Sequence, residues 1–206
     1  YDMGAWEMVL NKLATQCGIW MPDAKLTKLS KHHHTYLSKR FDREKKQRIH
    51  FASAMTLLGL NDGDNHASGA SYLDIAAFII QHSTDCNTDL EQLWRRIIFN
   101  ILVSNTDDHL RNHGFLLTPK GWRLSPAYDI NPNPYSNGLS LNITESSNEQ
   151  DIANALSISK YFNLSEKQAE SILKSIQLTL QHWRSVAKKT GINNTNIEAM
   201  KNAFKI

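Results

Sequence analysis

Ser104-Asn105-Thr106-Asp107-Asp108-His109-Leu110-Arg111-Asn112 is the stretch on which the reading of this chain turns. It sets a carboxylate, Asp107, four intervening residues ahead of an amide, Asn112, and a second carboxylate, Asp129 in Tyr128-Asp129-Ile130, follows seventeen positions later. Upstream, Leu90, Leu93, Trp94, Ile97, Ile98, Ile101 and Leu102 recur at i, i+3, i+4 and i+7, and Thr88 with Glu91 reads as a capping box. A buried-face helix therefore delivers the chain rigidly to Asn105. Downstream, Pro119-Lys120-Gly121 separates 114–118 from 122–125 as the turn of a small hairpin, which folds Asp129 back toward Asn112. Asn131-Pro132-Asn133-Pro134 cannot extend a helix or a central strand, so Asp129 is expected at the mouth of a loop.

Around this centre the chain reads as mostly helical. Met3, Trp6, Leu10, Leu13, Ala14 and Cys17 share one helical face that ends at Gly18, where a left-handed cap fits. Residues 24–29 and 35–41 read as a hairpin around the turn 30–34. Ile49, Ala52, Ala54, Met55 and Leu58 suggest a helix over 49–60, and Ser71 with Asp74 caps another to about His82. Residues 149–156 form a short helix. Ser165 with Gln168 opens a long one that carries Ala169, Ile172, Leu173, Ile176, Leu180, Trp183 and Ala187 and stops at Gly191. A last helix runs over 196–204.

Composition excludes more than it selects. The 206 residues carry a formal charge of +3, scattered except for residues 39–48, with six Lys or Arg against two acids. That run reads as a solvated segment that could also favour an anionic partner. Cys17 and Cys86 lie far apart without metal-ligand spacing and read as reduced thiols of a cytosolic protein. No apolar run approaches the roughly twenty residues of a membrane span, and the N-terminus lacks a signal pattern. His32-His33-His34 reads as a solvated turn, because adjacent side chains diverge. Asn61-Asp62-Gly63-Asp64 opens like a calcium loop but lacks its twelfth-position glutamate.

Carboxylate, amide and second carboxylate are the side chains that phosphoryl transfer requires: one carboxylate to orient the attacking hydroxyl, and an amide and a carboxylate to hold magnesium on the phosphates. Asp107 fits the first role by spacing and Asp108 competes for it. Asn112 and Asp129 fit the second. Arg111 reads equally as a phosphate contact or a surface arginine, and His109 as a loop-holding residue. A rival reading is metal-assisted hydrolysis by His109, His113 and Asp107 or Asp108, but Leu110 stands where the zinc proteases of that spacing need a glutamate.

At these residues the chain resembles the HipA-like serine/threonine kinases, toxins of bacterial toxin–antitoxin modules. The resemblance covers nearly the whole chain and is strongest at Lys39-Arg40-Phe41-Asp42-Arg43, at Asn105 to His109 through Asn112, and at Pro126-Ala127-Tyr128-Asp129-Ile130. It implies that Asp107 is catalytic, that Asn112 and Asp129 bind Mg²⁺, and that Lys39, Arg40 and Phe41 form a hinge whose main chain receives the adenine of ATP. It also implies nucleotide contacts from His109, Leu110, Arg111, Asn112, Tyr128 and Asp129.

The expected fold is α+β, mostly α: a kinase-like C-lobe helical bundle over 49–206 with a short β-hairpin at the catalytic site, and a partial N-lobe with hinge over 1–48. The family's phosphate-covering loop and lysine find no counterpart before Lys39, since Lys12 lies on the opening helix. This chain alone is therefore expected to bind ATP weakly and to show little or no kinase activity. The resemblance further implies a protein substrate, with an aminoacyl-tRNA synthetase as one candidate, a helix-turn-helix antitoxin partner, DNA contact only through that antitoxin, no membrane, and a cytoplasmic setting. The alternative is a catalytically silent module that binds an antitoxin or DNA.

Overall fold

A computed structural model describes residues 1–45 and 47–206; Lys46, within the basic run, lies outside the described residues. The chain opens with helix α1 (Met3–Gln16), started by the Asp2 side chain, which accepts from the Ala5 N–H. The helix ends where Gly18 takes φ +75°, as its C-terminal glycine required. Strands β1 (Ala24–Thr27) and β2 (Thr35–Ser38) then form the expected hairpin, shorter than its sequence span. Helix α1 packs on it closely: a Cβ on Gly4 would lie 2.4 Å from the His34 carbonyl oxygen.

Two-residue strands β3 (Arg43–Glu44) and β4 (Gln47–Arg48) follow, then β5 (His50–Ser53) and the short helix α2 (Ala54–Leu57). Here the structure corrects the helix expected over 49–60. β5 pairs antiparallel with β6 (Gly114–Thr118), setting Phe51 opposite Leu116 and Ser53 opposite Gly114. The hairpin that β6 makes with β7 (Gly121–Leu124) would otherwise leave an open edge, and unpaired edge amides outweigh a weak helical pattern. Ser53 then caps α2 by accepting from the Thr56 N–H.

Helices α3 (Tyr72–His82) and α4 (Cys86–Val103) come before β6, and α3 has the full Ser71–Asp74 capping box. α4 begins two residues earlier than its sequence cap: Asp85 takes the N-cap position without its side chain bonding the first turn, and Glu91 instead pairs with Arg95. Asp89 in its first turn is fully buried and takes the Leu124 N–H at 2.9 Å and the Arg123 guanidinium. That carboxylate fastens β7 to α4. The predicted periodic face of α4 is wholly internal, with Leu90, Leu93, Trp94, Ile97, Ile98, Ile101 and Leu102 all buried.

The C-terminal part holds α5 (Ile152–Ser157), α6 (Glu166–Leu180), α7 (Trp183–Lys189) and α8 (Asn194–Ala199). The Ser165–Gln168 capping box is present, but the expected long helix is broken at Gln181-His182. The break lays Trp183 flat on Phe204, with centroids 4.0 Å apart and planes at 3°, while Trp6 of α1 sits 6.2 Å from Trp183. This aromatic group joins the two ends of the chain. Among the described residues no helix is long and apolar enough to cross a membrane.

Candidate active site

α4 ends with Ser104 in the left-handed conformation, φ +50° and ψ 48°, which turns the chain sharply out of the helix. The Asn105 N–H remains bonded to the Asn100 carbonyl at 2.9 Å. The next residues run over the end of α4 to a single 3₁₀ turn, Leu110–Asn112. The two adjacent aspartates part company here. Asp107 is exposed, and its carboxylate has no hydrogen-bond partner among the described residues. Asp108 is 3% exposed, and a single oxygen of it accepts from Tyr72 Oη at 2.6 Å, Asn100 Nδ2 at 2.8 Å and His113 Nε2 at 2.9 Å. Burial pushes the Asp108 carboxyl up, and the His113 ring, the Tyr72 hydroxyl and the Arg96 guanidinium more than reverse it. Only Asp107 of the pair can meet a ligand.

Burial thus separates the two carboxylates: Asp107, which the spacing favours, faces solvent and Asp108 does not. The metallohydrolase grouping is not assembled: His113 is 1% exposed and turned into Asp108, away from Asp107. Among the described residues no group of three His, Cys, Asp or Glu side chains converges as a metal site.

Asn112 Nδ2 donates to the Asp107 carbonyl at 3.3 Å, and its Oδ1 has no hydrogen bond among the described residues. Asp129 is exposed and sits at φ +56°, an uncommon conformation for a residue with a side chain. Four bonds hold its segment against the loop: Tyr128 Oη to the Arg111 carbonyl at 2.6 Å, the Asn131 N–H to Asn105 Oδ1 at 3.3 Å, the Asn133 N–H to the Ser104 carbonyl at 3.0 Å, and Asn133 Nδ2 to Thr106 Oγ1 at 3.1 Å. The hairpin therefore does return Asp129 to the loop that ends in Asn112. The donor set fits Mg²⁺, which takes one or two protein oxygens and keeps waters or phosphate oxygens for the rest.

Arg111 is exposed, paired with Asp62 and 3.3 Å from His109 Nε2. Those residues, with Leu110, Asp107, Asp64 and Ser140, line an open pocket of ≈ 190 Å³. Residues Ser38 to Asp42 border a second pocket of ≈ 240 Å³ together with Phe51 and Tyr128. Three rings form its wall: Phe41 lies 5.9 Å from Phe51 and 5.7 Å from Tyr128. The Lys39 N–H is committed to the Asp23 carbonyl at 2.8 Å, and Lys39 Nζ pairs with Asp23. Arg40 and Arg43 both clamp Asp42, holding its carboxyl below the usual range. This leaves the main chain of Arg40 and Phe41 as the pocket's accessible rim.

Sequence reasoning missed two residues of this region. Phe51 was hidden in a stretch read as helix; its place depends on Gly114, where a Cβ would lie 2.2 Å from the Phe51 ring. Glu7 lies on the face of α1 beside the core, and burial followed by the negative charge of Asp129 pushes it up to about 7. Its spacing on α1, one residue past Trp6, gave no signal of an acidic partner 122 positions later.

The raised Glu7 carboxyl has a definite sign. Its ordinary value is 4.5, so its contribution to stability is fully present below pH 4.5 and is lost as pH rises through about 7. Glu7→Gln should match the parent at pH 4.5 and be more stable by on the order of 2 kcal/mol at pH 8. Thermal melts from pH 4.5 to 8 check this; parallel pH profiles would show that the Glu7 carboxyl is not raised.

Comparison with known proteins finds the same fold in two proteins of known structure. The proinflammatory kinase CtkA of Helicobacter pylori superposes with a TM-score of 0.55 at 14% identity, over 92% of this chain and 87% of that one. HipA of Shewanella oneidensis MR-1, solved with HipB and its operator DNA, superposes at 0.78 and 16% identity, over 98% of this chain and 54% of that one. The chain belongs to the HipA-like C-terminal domain family, whose profile matches residues 1–198. A Haemophilus influenzae protein named "Putative kinase" is 34% identical over 104 residues, 47% of this chain and 30% of that relative. The match thus spans less than a third of that relative's length.

Proposed function

We propose that this chain forms the hinge and catalytic half of an ATP-dependent protein serine/threonine kinase, with residues 1–48 as partial N-lobe and hinge and 49–206 as C-lobe. The observation that carries the reading is the Tyr128–Arg111 hydrogen bond, which sets the residue before Asp129 against the residue before Asn112. Asp107 orients the acceptor hydroxyl and takes its proton as the oxygen attacks the γ-phosphorus and the bond to the β-phosphate oxygen breaks. Asn112 Oδ1 and Asp129 would hold Mg²⁺, which when bound neutralises phosphate charge. Phe41, Phe51 and Tyr128 wall the seat of the adenine, and within the hinge Lys39-Arg40-Phe41 the main-chain groups of Arg40 and Phe41 meet its edge. His109, Leu110 and Arg111 border the phosphate end.

Glu7 has a role in the same reading. Kinases pair a strand lysine on the ATP phosphates with a helix glutamate, and a half-buried carboxylate that feels the charge of Asp129 is suited to such a cation. The partners follow from the family: a protein substrate, an aminoacyl-tRNA synthetase being one candidate, and a helix-turn-helix antitoxin through which DNA is reached. HipA of Shewanella oneidensis, found with HipB and operator DNA, supports the antitoxin assignment.

Calorimetric titration with ATP, with and without Mg²⁺, tests the site. Asp129→Ala should erase the Mg²⁺-dependent part of the affinity, and Phe51→Ala should weaken binding about tenfold under both conditions, from the lost ring contact. Binding indifferent to Mg²⁺ in the parent protein would refute the assignment and favour a silent binding module.

A further inference from the structure

Asp108 is a buried carboxylate one residue from the proposed base, and no step of phosphoryl transfer uses it. Three side chains from three parts of the chain converge on its Oδ2. Tyr72 comes from the first turn of α3, Asn100 from the last turn of α4, and His113 directly follows Asn112. The Tyr72 and His113 rings meet edge to face, 5.7 Å apart at 90°. Tyr72 is 0% exposed, Asn100 2% and His113 1%, so none of these bonds is exchanged with water. Asn100 is also tied on its other side, accepting from Asn105 Nδ2 at 3.1 Å.

The network grips the loop at both ends of the spacing that phosphoryl transfer needs. Asp108 fixes the backbone directly after Asp107, and His113 fixes it directly after Asn112. One oxygen atom therefore sets where both ends stand relative to α3 and α4. A buried carboxylate is costly unless its donors are in place, so the network favours one arrangement of the loop strongly over its alternatives. Asn112 Nδ2, bonded to the Asp107 carbonyl, closes the span between the two grips.

We propose that Asp108, Tyr72, Asn100 and His113 are a positioning device that holds Asp107 and Asn112 at their working separation. This deepens the kinase reading and rests on it for the meaning of that separation. Tyr72 and His113 are positioning residues: neither reaches the solvent-facing side where ATP would lie. His113 donates through Nε2, which fixes its tautomer, and that proton is a spectroscopic reporter of the network.

Tyr72→Phe removes one donor and leaves the ring packed, and Asp108→Asn keeps the shape and removes the charge. Three readouts are compared with the parent, in the protein as its host expresses it: the His113 Nε2–H signal in long-range ¹H–¹⁵N spectra, amide exchange at 105–113 against 93–101, and steady-state phosphoryl transfer from Mg·ATP. Both variants should shift the His113 signal and speed loop exchange at least tenfold while exchange in α4 is unchanged. Transfer should lose kcat by tenfold or more at constant KM for ATP. Loop exchange equal to the parent's, or kcat retained despite a shifted His113 signal, overturns the proposal. If Asp107→Ala fails to reduce transfer, the assignment of Asp107 as the base falls instead, and loop exchange still decides whether the network holds the loop.

Discussion

Asp107→Ala is expected to lower phosphoryl transfer by about 10²- to 10⁴-fold in the protein as its host expresses it, the range that loss of a positioned general base produces. The exposed carboxylate makes no hydrogen bond to the rest of the fold among the described residues, so its removal should leave the melting temperature within about 2 °C of the parent. KM for ATP should hold, because the nucleotide's proposed contacts come from the hinge rings and from Asn112 and Asp129. Radiolabelled transfer at saturating ATP measures the first quantity and thermal melts the second. Full activity in the variant would move the base elsewhere, and Asp108, beneath Tyr72, is too enclosed to replace it.

The largest effect on stability should come from Trp94→Ala. The indole is fully buried at the centre of α4, with its Nε1 donating to the Ala155 carbonyl at 3.4 Å. Truncation removes a large apolar surface, leaves a cavity and strands that carbonyl, for a combined cost of about 3–5 kcal/mol. For a chain of this size that is a fall in melting temperature of roughly 8–15 °C. The site should suffer as well, because α4 carries Asn100 and ends at Ser104, from which the loop springs. A melting point within 3 °C of the parent would show that α4 is not the anchor of the fold.

These two expectations draw on different parts of what the chain spells out. The helix was legible because seven apolar residues at helical spacing cannot be placed on one strand face, and the hairpin was legible because Pro119-Lys120-Gly121 has the chemistry of a turn. The Ser71–Asp74 and Ser165–Gln168 capping boxes were read correctly because both partners lie within one turn. The Thr88–Glu91 pair failed the same test, since Glu91 found Arg95 and the helix began earlier. A cap is local in sequence, but where a helix starts also depends on what packs on its first turn. Here that is the Asp89 contact to β7.

What the sequence by itself determined is the order of the parts: a helix, a loop with Asp107 and Asn112, a hairpin, then Asp129. Only the tertiary structure decided which of two adjacent aspartates faces solvent. That choice depends on Tyr72, thirty-six positions away, reaching the buried oxygen of Asp108. It also decided that residues 50–53 are a strand, because the edge of β6 was there to be paired, and so placed Phe51 beside Phe41 and Tyr128. It also put Glu7, on the partly buried side of α1, within the field of Asp129. Local spacing fixes what a segment can become, whereas burial and pairing are properties of surfaces that meet only after the chain has folded.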